Sequence, residues 1–276
     1  MPKVSVIMGV YNCENTVGAS IESILNQTFQ DFEIIVCDDA SVDNSYLVLQ
    51  KYKQKYPDKI KLLKNEKNLM LSGTLNRCID IAEGEYIARM DADDISLPYR
   101  IEKQVEFFEK NPDYDIQSSN YYIFDDKSIW AQRNLPEYPQ KESFFWNSPF
   151  CHACTMFRAT ALKKVGGYMV AKITRRCEDQ ELFMRMYAAT MKGYNRQEIL
   201  FKVYEGRDAY QRRKYRYRID EARVRYRGYK AMKLLPKGFI YVLKPLIVGL
   251  IPWFILKKIR RDQKVEYQES TYNERK

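Results

Sequence analysis

The sequence contains a single histidine, His152, and no second pair of cysteine or histidine residues that could complete a zinc site with it. The run Cys151-His152-Ala153-Cys154 offers at most three ligands, whereas structural zinc is held by four. The chain also lacks Gly-x-Gly-x-x-Gly after its first predicted strand and lacks Gly-x-x-x-x-Gly-Lys-Ser/Thr. These absences argue against structural zinc, a dinucleotide-binding fingerprint and a P-loop.

The six cysteines do not indicate a disulfide scaffold, because several of them lie in apolar runs. No signal peptide precedes the first predicted strand, which opens directly after Lys3, so we expect a reducing, cytoplasmic environment. With 276 residues, of which 45% are hydrophobic, the chain can bury a sizeable core. Its net charge of +10 indicates an anionic partner: nucleic acid, a lipid surface or a phosphorylated substrate.

Short apolar runs alternate with amphipathic stretches in the first part of the chain. This alternation predicts an α/β fold with a parallel sheet and right-handed crossovers. Ligands of such sheets bind at the carboxyl ends of the strands. We predict strands at 4–10, 32–37, 60–63 and 86–90, and helices at 14–27, 43–56, 71–82 and 101–110.

Three carboxylates, Asp91, Asp93 and Asp94, follow the fourth predicted strand. A buried strand that ends in such concentrated charge is costly unless a cation meets it. Hard oxygen ligands suit Mg²⁺ or Mn²⁺, which in turn suits a diphosphate. An acidic, solvated turn is the alternative interpretation. Because Tyr11 and Asp39 are predicted at the same edge of the sheet, a functional acidic cluster is favoured.

Three segments of the chain match a known family when they are taken together and in order. They are Val-Ser-Val-Ile-Met-Gly-Val-Tyr-Asn at 4–12, Glu-Ile-Ile-Val-Cys-Asp-Asp-Ala-Ser-Val-Asp-Asn-Ser at 33–45 and Ala-Arg-Met-Asp-Ala-Asp-Asp at 88–94. They resemble family 2 glycosyltransferases of the bacterial capsule, exopolysaccharide and O-antigen branch, over roughly residues 3–230. The resemblance implies the GT-A fold, a Rossmann-like, mostly parallel central sheet flanked by helices.

The resemblance also implies roles for the residues at the predicted edge. Tyr11 would pack on uracil, and Asp39 would accept a hydrogen bond from the uracil N3–H, with Asp38 supporting the strand end or exchanging roles with Asp39. Asp91 would lie near the ribose and the metal, and Asp93 would bind the Mn²⁺ or Mg²⁺ that bridges the diphosphate. Asp94 would instead help to hold the loop. The implied nucleotide-binding set is Val10, Tyr11, Glu14, Asp39, Asn76 and Asp91.

A second acidic stretch, Glu178-Asp179, opens an amphipathic helix. Paired acids at this position can simply complement the helix dipole. The resemblance implies more: Asp179 would be the general base that takes the proton of the acceptor hydroxyl, with Glu178 as the fallback. Residues 150–158 resemble the family's strand in which a histidine precedes an apolar run. His152 would then contact the acceptor or the diphosphate, although a satisfied interior histidine is the alternative.

Residues 144–146, Phe-Phe-Trp, form an aromatic cluster that could stack on a sugar, although core packing is the commoner use. The β-forming stretches 116–124 and 129–133 predict a hairpin across a polar turn. Gly166-Gly167 matches a family turn in which glycine supplies a positive φ.

The end of the chain is basic and then apolar. Residues 211–233 interleave ten lysines and arginines with tyrosines, which fits a single-stranded nucleic-acid surface, a solvated helix face or a membrane-facing surface. The apolar run 239–256 is interrupted by Lys244, Pro245 and Pro252, which makes it marginal for spanning a membrane. We therefore favour a segment in the interface of an anionic membrane, with a spanning segment or an ordinary core or dimer helix as alternatives.

The sequence and the resemblance together predict an inverting, metal-dependent glycosyltransferase. It would move a sugar from a nucleotide-sugar donor to a polyprenyl-diphosphate-linked saccharide, at the inner face of the cell membrane and without a nucleic-acid partner. A sugar-phosphate nucleotidyltransferase and a non-catalytic basic binding module are the alternatives. We predict a nucleotide-sugar half at 1–110, an acceptor half at 111–205, membrane-associating basic and apolar helices at 206–262, and a polar tail at 263–276.

Overall fold

The computed structural model describes residues 1–206 and 214–251, and its strands form a single sheet. The order of the strands across the sheet is β3-β2-β1-β4-β8-β6-β9-β5, and β7 pairs with β6 outside this path. The strands are β1 (Val4–Val10), β2 (Phe32–Asp38), β3 (Ile60–Lys64), β4 (Tyr86–Asp91), β5 (Ile95–Ser96), β6 (Ile116–Phe124), β7 (Ile129–Arg133), β8 (Met156–Arg158) and β9 (Gly193–Tyr204).

Helices cover both faces of this sheet and extend beyond it at the end of the described chain. Two separate groups of buried apolar side chains, one on each side of the central strands, form the core. The helices are α1 (Val17–Leu25), α2 (Ser45–Lys55), α3 (Met70–Asp80), α4 (Arg100–Lys110), α5 (Ala159–Lys164), α6 (Glu178–Ala188), α7 (Tyr215–Ala231) and α8 (Phe239–Leu250).

Strands β1 to β4 are parallel, as the alternation in the sequence predicts. Every residue of β2 is buried, which explains why its sequence is mostly apolar rather than alternating, and its buried Glu33 pairs with Lys61 at 2.8 Å. The second part of the sheet is mixed, because β8 runs antiparallel to both β4 and β6 while β9 runs parallel to β6. The predicted hairpin of β6 and β7 is confirmed.

Gly84 enters β4 at a point where the chain passes directly over the start of β1. A Cβ atom at this position would lie 2.5 Å from the backbone nitrogen of Ser5. The backbone nitrogen of Gly84 also donates to Ser5 Oγ at 2.8 Å, and Ser5 Oγ donates to Glu33 at 2.6 Å. The glycine is therefore required by the close approach of two backbones, which sets the position of β4 and of the acidic stretch after it.

Two predicted elements have different bounds in the structure. The predicted helix 14–27 begins later, at Val17, because the residues before it are bonded to the loop that follows β2. The predicted strand 150–158 is shorter, since β8 contains only its last three residues and His152–Cys154 forms a 3₁₀ turn. The turn at Gly166 and Gly167 has the expected positive φ, 76° and 66°.

The two helices at the end of the described chain pack against the aromatic cluster 144–146. Phe144 is fully buried, and Phe145 stacks on Tyr241 of α8 with ring centroids 4.7 Å apart, so the core interpretation of these two rings is confirmed. Trp146 is 65% exposed. Arg225 of α7, within the basic stretch, is only 2% exposed and donates to the carbonyl oxygens of this cluster.

The boundaries predicted at 110/111 and 205/206 stay predictions, and strands from both predicted halves belong to the same sheet. Several residues of the predicted basic and apolar extension lie outside the described residues. These are residues 207–213, residues 252–262 and the predicted tail 263–276.

Candidate active site

The carboxyl ends of β1, β2 and β4 lie side by side, as the sequence predicts. The register pairs Val10 with Asp38 and Gly9 with Asp91. Tyr11, Asp39 and the acidic stretch that starts at Asp91 therefore emerge at the same edge of the sheet. The ends of parallel strands are the usual ligand-binding edge of such a fold, which makes this edge the candidate active site.

The loops after β1 and β2 are bound to each other. The Asn12 backbone nitrogen donates to Ser41 Oγ at 3.1 Å, and Asn12 Oδ1 accepts from the Val42 nitrogen at 3.0 Å. Glu14 Oε2 accepts from the backbone nitrogen and the side-chain amide of Asn44, at 2.9 and 2.8 Å. These bonds hold Tyr11, 48% exposed, at the edge. The contacts described for Glu14 are structural, and its nucleotide contact stays a prediction.

Asp39 is 4% exposed and is held from two sides. Its Oδ1 accepts from Asn65 Nδ2 at 2.6 Å and from the Leu69 backbone nitrogen at 2.7 Å. A carboxylate has about four lone-pair sites, so these bonds leave acceptor capacity for a base N–H. Asp38 is fully buried and accepts from the Ser41 nitrogen at 3.2 Å, in agreement with its expected support of the strand end. Asn65 was not predicted as a site residue, although it directly follows β3 at the same edge of the sheet.

The three carboxylates after β4 converge, with one ligand oxygen from each lying within 4.8 Å of the others. Asp91 and Asp93 are partly exposed, and Asp91 forms an ion pair with Arg89. Asp94 is 1% exposed and accepts from the Tyr204 backbone nitrogen at 2.7 Å, so it does hold the loop against β9. Its second oxygen, Oδ2, is buried and has no hydrogen-bond partner among the described residues.

The electrostatics of this cluster favour a cation. Burial raises the pKa of Asp94 well above its ordinary value, and the charges of Asp91 and Asp93 raise it further. Burial opposes the charge of Arg89, but the ion pair with Asp91 raises the pKa of the guanidinium, which stays protonated. Three carboxylates that repel one another, one with an unpartnered buried oxygen, form an oxygen-rich donor set that fits Mg²⁺ or Mn²⁺.

Arg89 is a site residue that the sequence analysis did not single out. It is 1% exposed and lies in β4 two residues before Asp91, so both side chains point to the same face of the sheet. Its charge lowers the pKa of Asp94, Glu178 and Asp179, in each case as a lesser effect than burial. The charge of the guanidinium therefore acts on both acidic groups of the site, the carboxylates after β4 and the Glu178-Asp179 pair.

Glu178 and Asp179 form the first turn of α6 and are partly exposed. Burial, followed by the charge of Asp179, raises the pKa of Glu178 to about 7. Burial also raises the pKa of Asp179 above its ordinary value. A carboxylate whose pKa approaches neutrality is a stronger base than an exposed one, so the pair is suited to proton transfer.

His152 and Asn76 both contact Tyr168. His152 Nε2 lies 2.7 Å from the Tyr168 hydroxyl, and burial, followed by the charge of Arg89, lowers the pKa of the imidazole well below its usual value. The Asn76 amide donates to the Tyr168 carbonyl and accepts from its backbone nitrogen, each at 2.8 Å. These contacts satisfy His152 and brace the Tyr168 loop. Substrate contacts of both residues stay predictions.

A cavity of about 510 Å³ opens beside Glu178. It lies between the start of α3, the loop that precedes α6 and the first turn of α7. Its lining is Asn68, Leu69, Met70, Leu71, Ser72, Val170, Ala171, Lys172, Thr174, Arg175, Arg176, Glu178 and Tyr217.

Comparison with known proteins identifies relatives of almost the whole chain and of about half of it. The chain is 41% identical over 268 residues to the protein named putative glycosyltransferase EpsE of Bacillus subtilis (strain 168), covering 97% of this chain and 96% of that protein. It is 37% identical over 136 residues to WfaP of Escherichia coli, covering 49% of this chain and 53% of that protein. WfaP is named a UDP-Glc:alpha-D-GlcNAc-diphosphoundecaprenol beta-1,3-glucosyltransferase.

The fold is shared with solved glycosyltransferase structures. Staphylococcus aureus TarS 1-349 in complex with UDP-GlcNAc aligns with a TM-score of 0.69 at 17% identity, over 94% of this chain and 79% of that one. The mannosyltransferase PcManGT of Pyrobaculum calidifontis, in complex with GDP-Man and Mn²⁺, aligns with a TM-score of 0.62 at 16% identity, over 95% of this chain and 79% of that one.

The model of the family described as glycosyl transferase family 2 matches residues 5–166, which is more than half of the chain and includes β1 to β4 with their acidic ends. This match and the whole-length relative decide against the nucleotidyltransferase and the non-catalytic binding module. The chain belongs to glycosyl transferase family 2 and is a glycosyltransferase with the GT-A fold.

Proposed function

We propose that the protein is an inverting, metal-dependent glycosyltransferase that moves a sugar from a UDP-linked donor to a lipid-linked saccharide in the synthesis of a bacterial surface polysaccharide. One observation carries this proposal. Asp91, Asp93 and Asp94 at the end of β4 form an oxygen-rich cluster that fits a divalent metal, and Glu178 and Asp179 at the start of α6 have raised pKa values. The same buried arginine, Arg89, pairs with Asp91 and also lowers the pKa of both residues at the start of α6. Binding a diphosphate and removing a proton are the two tasks that such a transfer requires.

The donor proposal rests on the edge formed by β1 and β2. Tyr11 offers an exposed ring on which a base can stack, and Asp39 offers acceptor capacity for the uracil N3–H. Val10, Glu14 and Asn76 complete the proposed nucleotide-binding set. A structural neighbour binds UDP-GlcNAc and a relative is named for UDP-Glc, which supports UDP as the nucleotide.

Asp93 and Asp91 would hold the divalent metal, with Asp94 fixing the loop from behind through Tyr204. A bound Mg²⁺ or Mn²⁺ supplies positive charge that stabilises the departing diphosphate. The complex of PcManGT with Mn²⁺ supports a metal in this fold. Arg89 limits the repulsion within the cluster by pairing with Asp91.

Asp179 would act as the general base, with Glu178 as the alternative. The carboxylate takes the proton from the acceptor hydroxyl while the hydroxyl oxygen forms a bond to the anomeric carbon. The bond from that carbon to the diphosphate oxygen breaks on the opposite side, and its electrons leave with UDP, so the configuration inverts. Burial raises the pKa of both carboxyl groups above their ordinary values, which makes them stronger bases, and the charge of Arg89 opposes part of that rise.

A membrane-bound acceptor would require the enzyme to work at a lipid surface, and the last two helices offer a contact surface. Among residues 1–206 and 214–251, no helix combines the length and the apolar character needed to cross a membrane. An apolar groove of about 630 Å³ lies between α7 and α8, and Arg223 and Arg227 of α7 contribute to its lining. The exposed apolar side chains of α8 are Phe239, Ile240, Leu243, Ile247 and Leu250.

We propose that this face of α8 lies in the interface of an anionic membrane, at the inner face of the cell membrane. Co-sedimentation with vesicles that contain about one third anionic lipid tests it. The variant Leu243→Ser/Ile247→Ser should lose vesicle binding, and about 0.5 M salt should weaken binding of the unmodified protein because it screens the basic flanks. The control Leu47→Ser/Ile81→Ser removes exposed apolar groups elsewhere and should bind normally. Equal loss in both variants would contradict the assignment.

The experiment that tests the enzymatic proposal is a thermal-shift screen against UDP, GDP, CMP and dTDP, each with and without Mn²⁺. Binding to the native state raises the apparent stability by mass action. We expect UDP to raise the melting temperature only when Mn²⁺ is present, and a panel of UDP-sugars then identifies the donor. A shift with another nucleotide alone would overturn the choice of UDP, and a full shift without metal would overturn the metal dependence.

A further inference from the structure

The cavity beside Glu178 has a strongly cationic wall. Lys172, Arg175 and Arg176 line it, and all three are exposed. They belong to the loop that leads directly into the Glu178-Asp179 turn of α6. The cationic wall and a carboxylate of the candidate base pair therefore face the same cavity.

None of these three cations forms a salt bridge in the part of the chain that the structure describes. Arg185 on the same helix as the acidic pair is different, because it binds the Glu181 carboxylate at 2.7 Å. Arg176 is also held in a left-handed conformation, with φ of 67°, which is costly for a residue that has a Cβ. A strained loop that carries unpaired cations into a cavity points to an anionic ligand.

The remaining walls show where that ligand would lie. Residues 68–72 at the start of α3 form one side of the cavity, and Tyr217 of α7 forms another. The start of α3 carries Leu69, whose nitrogen binds Asp39, so that wall belongs to the donor edge. Helix α7 leads to the apolar face of α8. The cavity thus lies between the proposed donor site and the proposed membrane surface.

We propose that this cavity binds the diphosphate of the lipid-linked acceptor, and that Lys172, Arg175 and Arg176 pair with it. The inference rests on the proposed function, in which the donor diphosphate lies on the acidic cluster after β4 instead. Guanidinium groups bind phosphate oxygens through two parallel hydrogen bonds, which gives both charge and geometry. The cavity volume lies within the range of sites for small ligands.

This position has a consequence for the order of reactions. A diphosphate bound in the same cavity as Glu178 brings the sugar attached to that diphosphate next to the base. The enzyme would then add the second sugar of the chain rather than a distant one. The reaction that supplies its acceptor must be a transfer of a sugar phosphate to a lipid phosphate.

Isothermal titration of the full-length protein with three probes tests the inference. The probes are geranyl diphosphate, inorganic pyrophosphate and geraniol, each added at saturating UDP and a fixed excess of Mg²⁺ so that the donor site is filled. We expect geranyl diphosphate to bind, pyrophosphate to compete with it and geraniol not to bind. Arg175→Gln/Arg176→Gln should weaken geranyl diphosphate binding by about tenfold or more, because two charge-assisted contacts are lost. UDP affinity should stay within about twofold, because the proposal assigns these two arginines to the acceptor diphosphate and the donor diphosphate to the acidic cluster after β4.

The matched control is Lys163→Gln/Lys164→Gln, which removes the same charge from exposed positions at the end of α5. It should bind both ligands normally, and Arg175→Lys/Arg176→Lys should retain part of the diphosphate affinity. Equal weakening by the control would show non-specific attraction to a basic protein and overturn the inference. Loss of UDP affinity in the arginine variant would place these cations on the donor diphosphate and also overturn it. Normal UDP binding without geranyl diphosphate binding would sink this inference alone, whereas absent UDP binding would sink the proposed function.

Discussion

Two buried carboxylates at the edge of the sheet, Asp39 and Asp94, are held differently from Glu178 and Asp179 at the start of α6. Asp39 and Asp94 each accept a backbone N–H at 2.7 Å, from Leu69 and Tyr204, and both are almost completely buried. Glu178 and Asp179 lie in the first turn of α6 and are partly exposed, and burial raises their pKa values as it raises that of Asp94. Binding a nucleotide and a metal requires fixed oxygen atoms, whereas accepting a proton requires a tuned pKa. In the proposed mechanism, Asp39 and Asp94 therefore fix positions, and Glu178 and Asp179 take part in proton transfer.

The largest expected effect comes from removing the base. Asp179→Asn keeps the shape of the side chain but cannot accept a proton, so kcat should fall by about 10²- to 10⁴-fold. UDP binding in the presence of Mn²⁺ should be unchanged. Transfer assays with the identified UDP-sugar, together with thermal shifts, measure both quantities.

Asp93→Ala should abolish the Mn²⁺-dependent UDP shift as well as transfer, whereas Asp179→Asn should impair transfer alone. A variant of Asp179 with full activity would move the role of base to Glu178. Full activity of both single variants, Asp179→Asn and Asp93→Ala, would refute the assignment of the base and of the metal ligand.

A smaller effect tests the positional role of Asp94. Asp94→Asn keeps an acceptor for the Tyr204 nitrogen, whereas Asp94→Ala leaves that partly buried N–H without its acceptor. The alanine variant should be less stable than the asparagine variant by about 1–3 kcal/mol. Urea unfolding in the presence of EDTA measures the difference. Equal stability of the two variants would show that the bond to Tyr204 contributes nothing.

The two hydrogen bonds between Asn76 and the Tyr168 backbone are expected to contribute about 1–2 kcal/mol to the free energy of unfolding. Asn76→Ala removes both hydrogen bonds to the Tyr168 backbone, which join α3 to the loop after α5. Unfolding by urea should show this loss of stability. Asn15→Ala, at an exposed position with no side-chain hydrogen bond among the described residues, is the control. A larger loss in the control would contradict a bracing role for Asn76.

The smallest expected effect is a change in pH dependence. The pKa of Glu178 is about 7 in the folded protein, above the usual value of a carboxyl group. The folded state therefore binds more protons than the unfolded state between about pH 4.5 and 7, and its stability falls as the pH rises through this window. Glu178→Gln should lack this part of the fall in melting temperature between pH 5 and 8. The same fall in both proteins would show that Glu178 titrates normally.

The parallel strands and the acidic edge could be predicted because their signals are local. Continuous apolar runs identify buried strands, and the carboxylates follow them directly. Arg89 was also readable in principle, because it lies two residues before Asp91 and so shares its face of the strand. An arginine inside an apolar run is a polar group that needs a partner, and the partner is adjacent in sequence.

The contacts that fix the site could not be predicted, because they join residues far apart in the chain. Asn65 reaches Asp39 across 26 residues, and Asn76 reaches Tyr168 across 92. The place of Asn65 directly after β3 is a local signal, but it does not identify the partner, and nothing local distinguishes Asn76 from a surface asparagine. Arg225 shows the same limit, since a basic stretch indicates a solvated surface while this one side chain is buried among carbonyl groups.

The attachment of α7 and α8 determines how far the acidic groups lie from the proposed membrane surface. Arg225 donates to the carbonyl oxygens of Phe145 and Trp146 at 3.1 and 3.3 Å, and the Tyr229 hydroxyl donates to that of Phe144 at 2.8 Å. These bonds tie α7 rigidly to the body that carries the acidic groups. With α8 lying on the membrane as proposed, the proposed base would lie at a constant height above the lipid, which would select acceptors by the length of their saccharide.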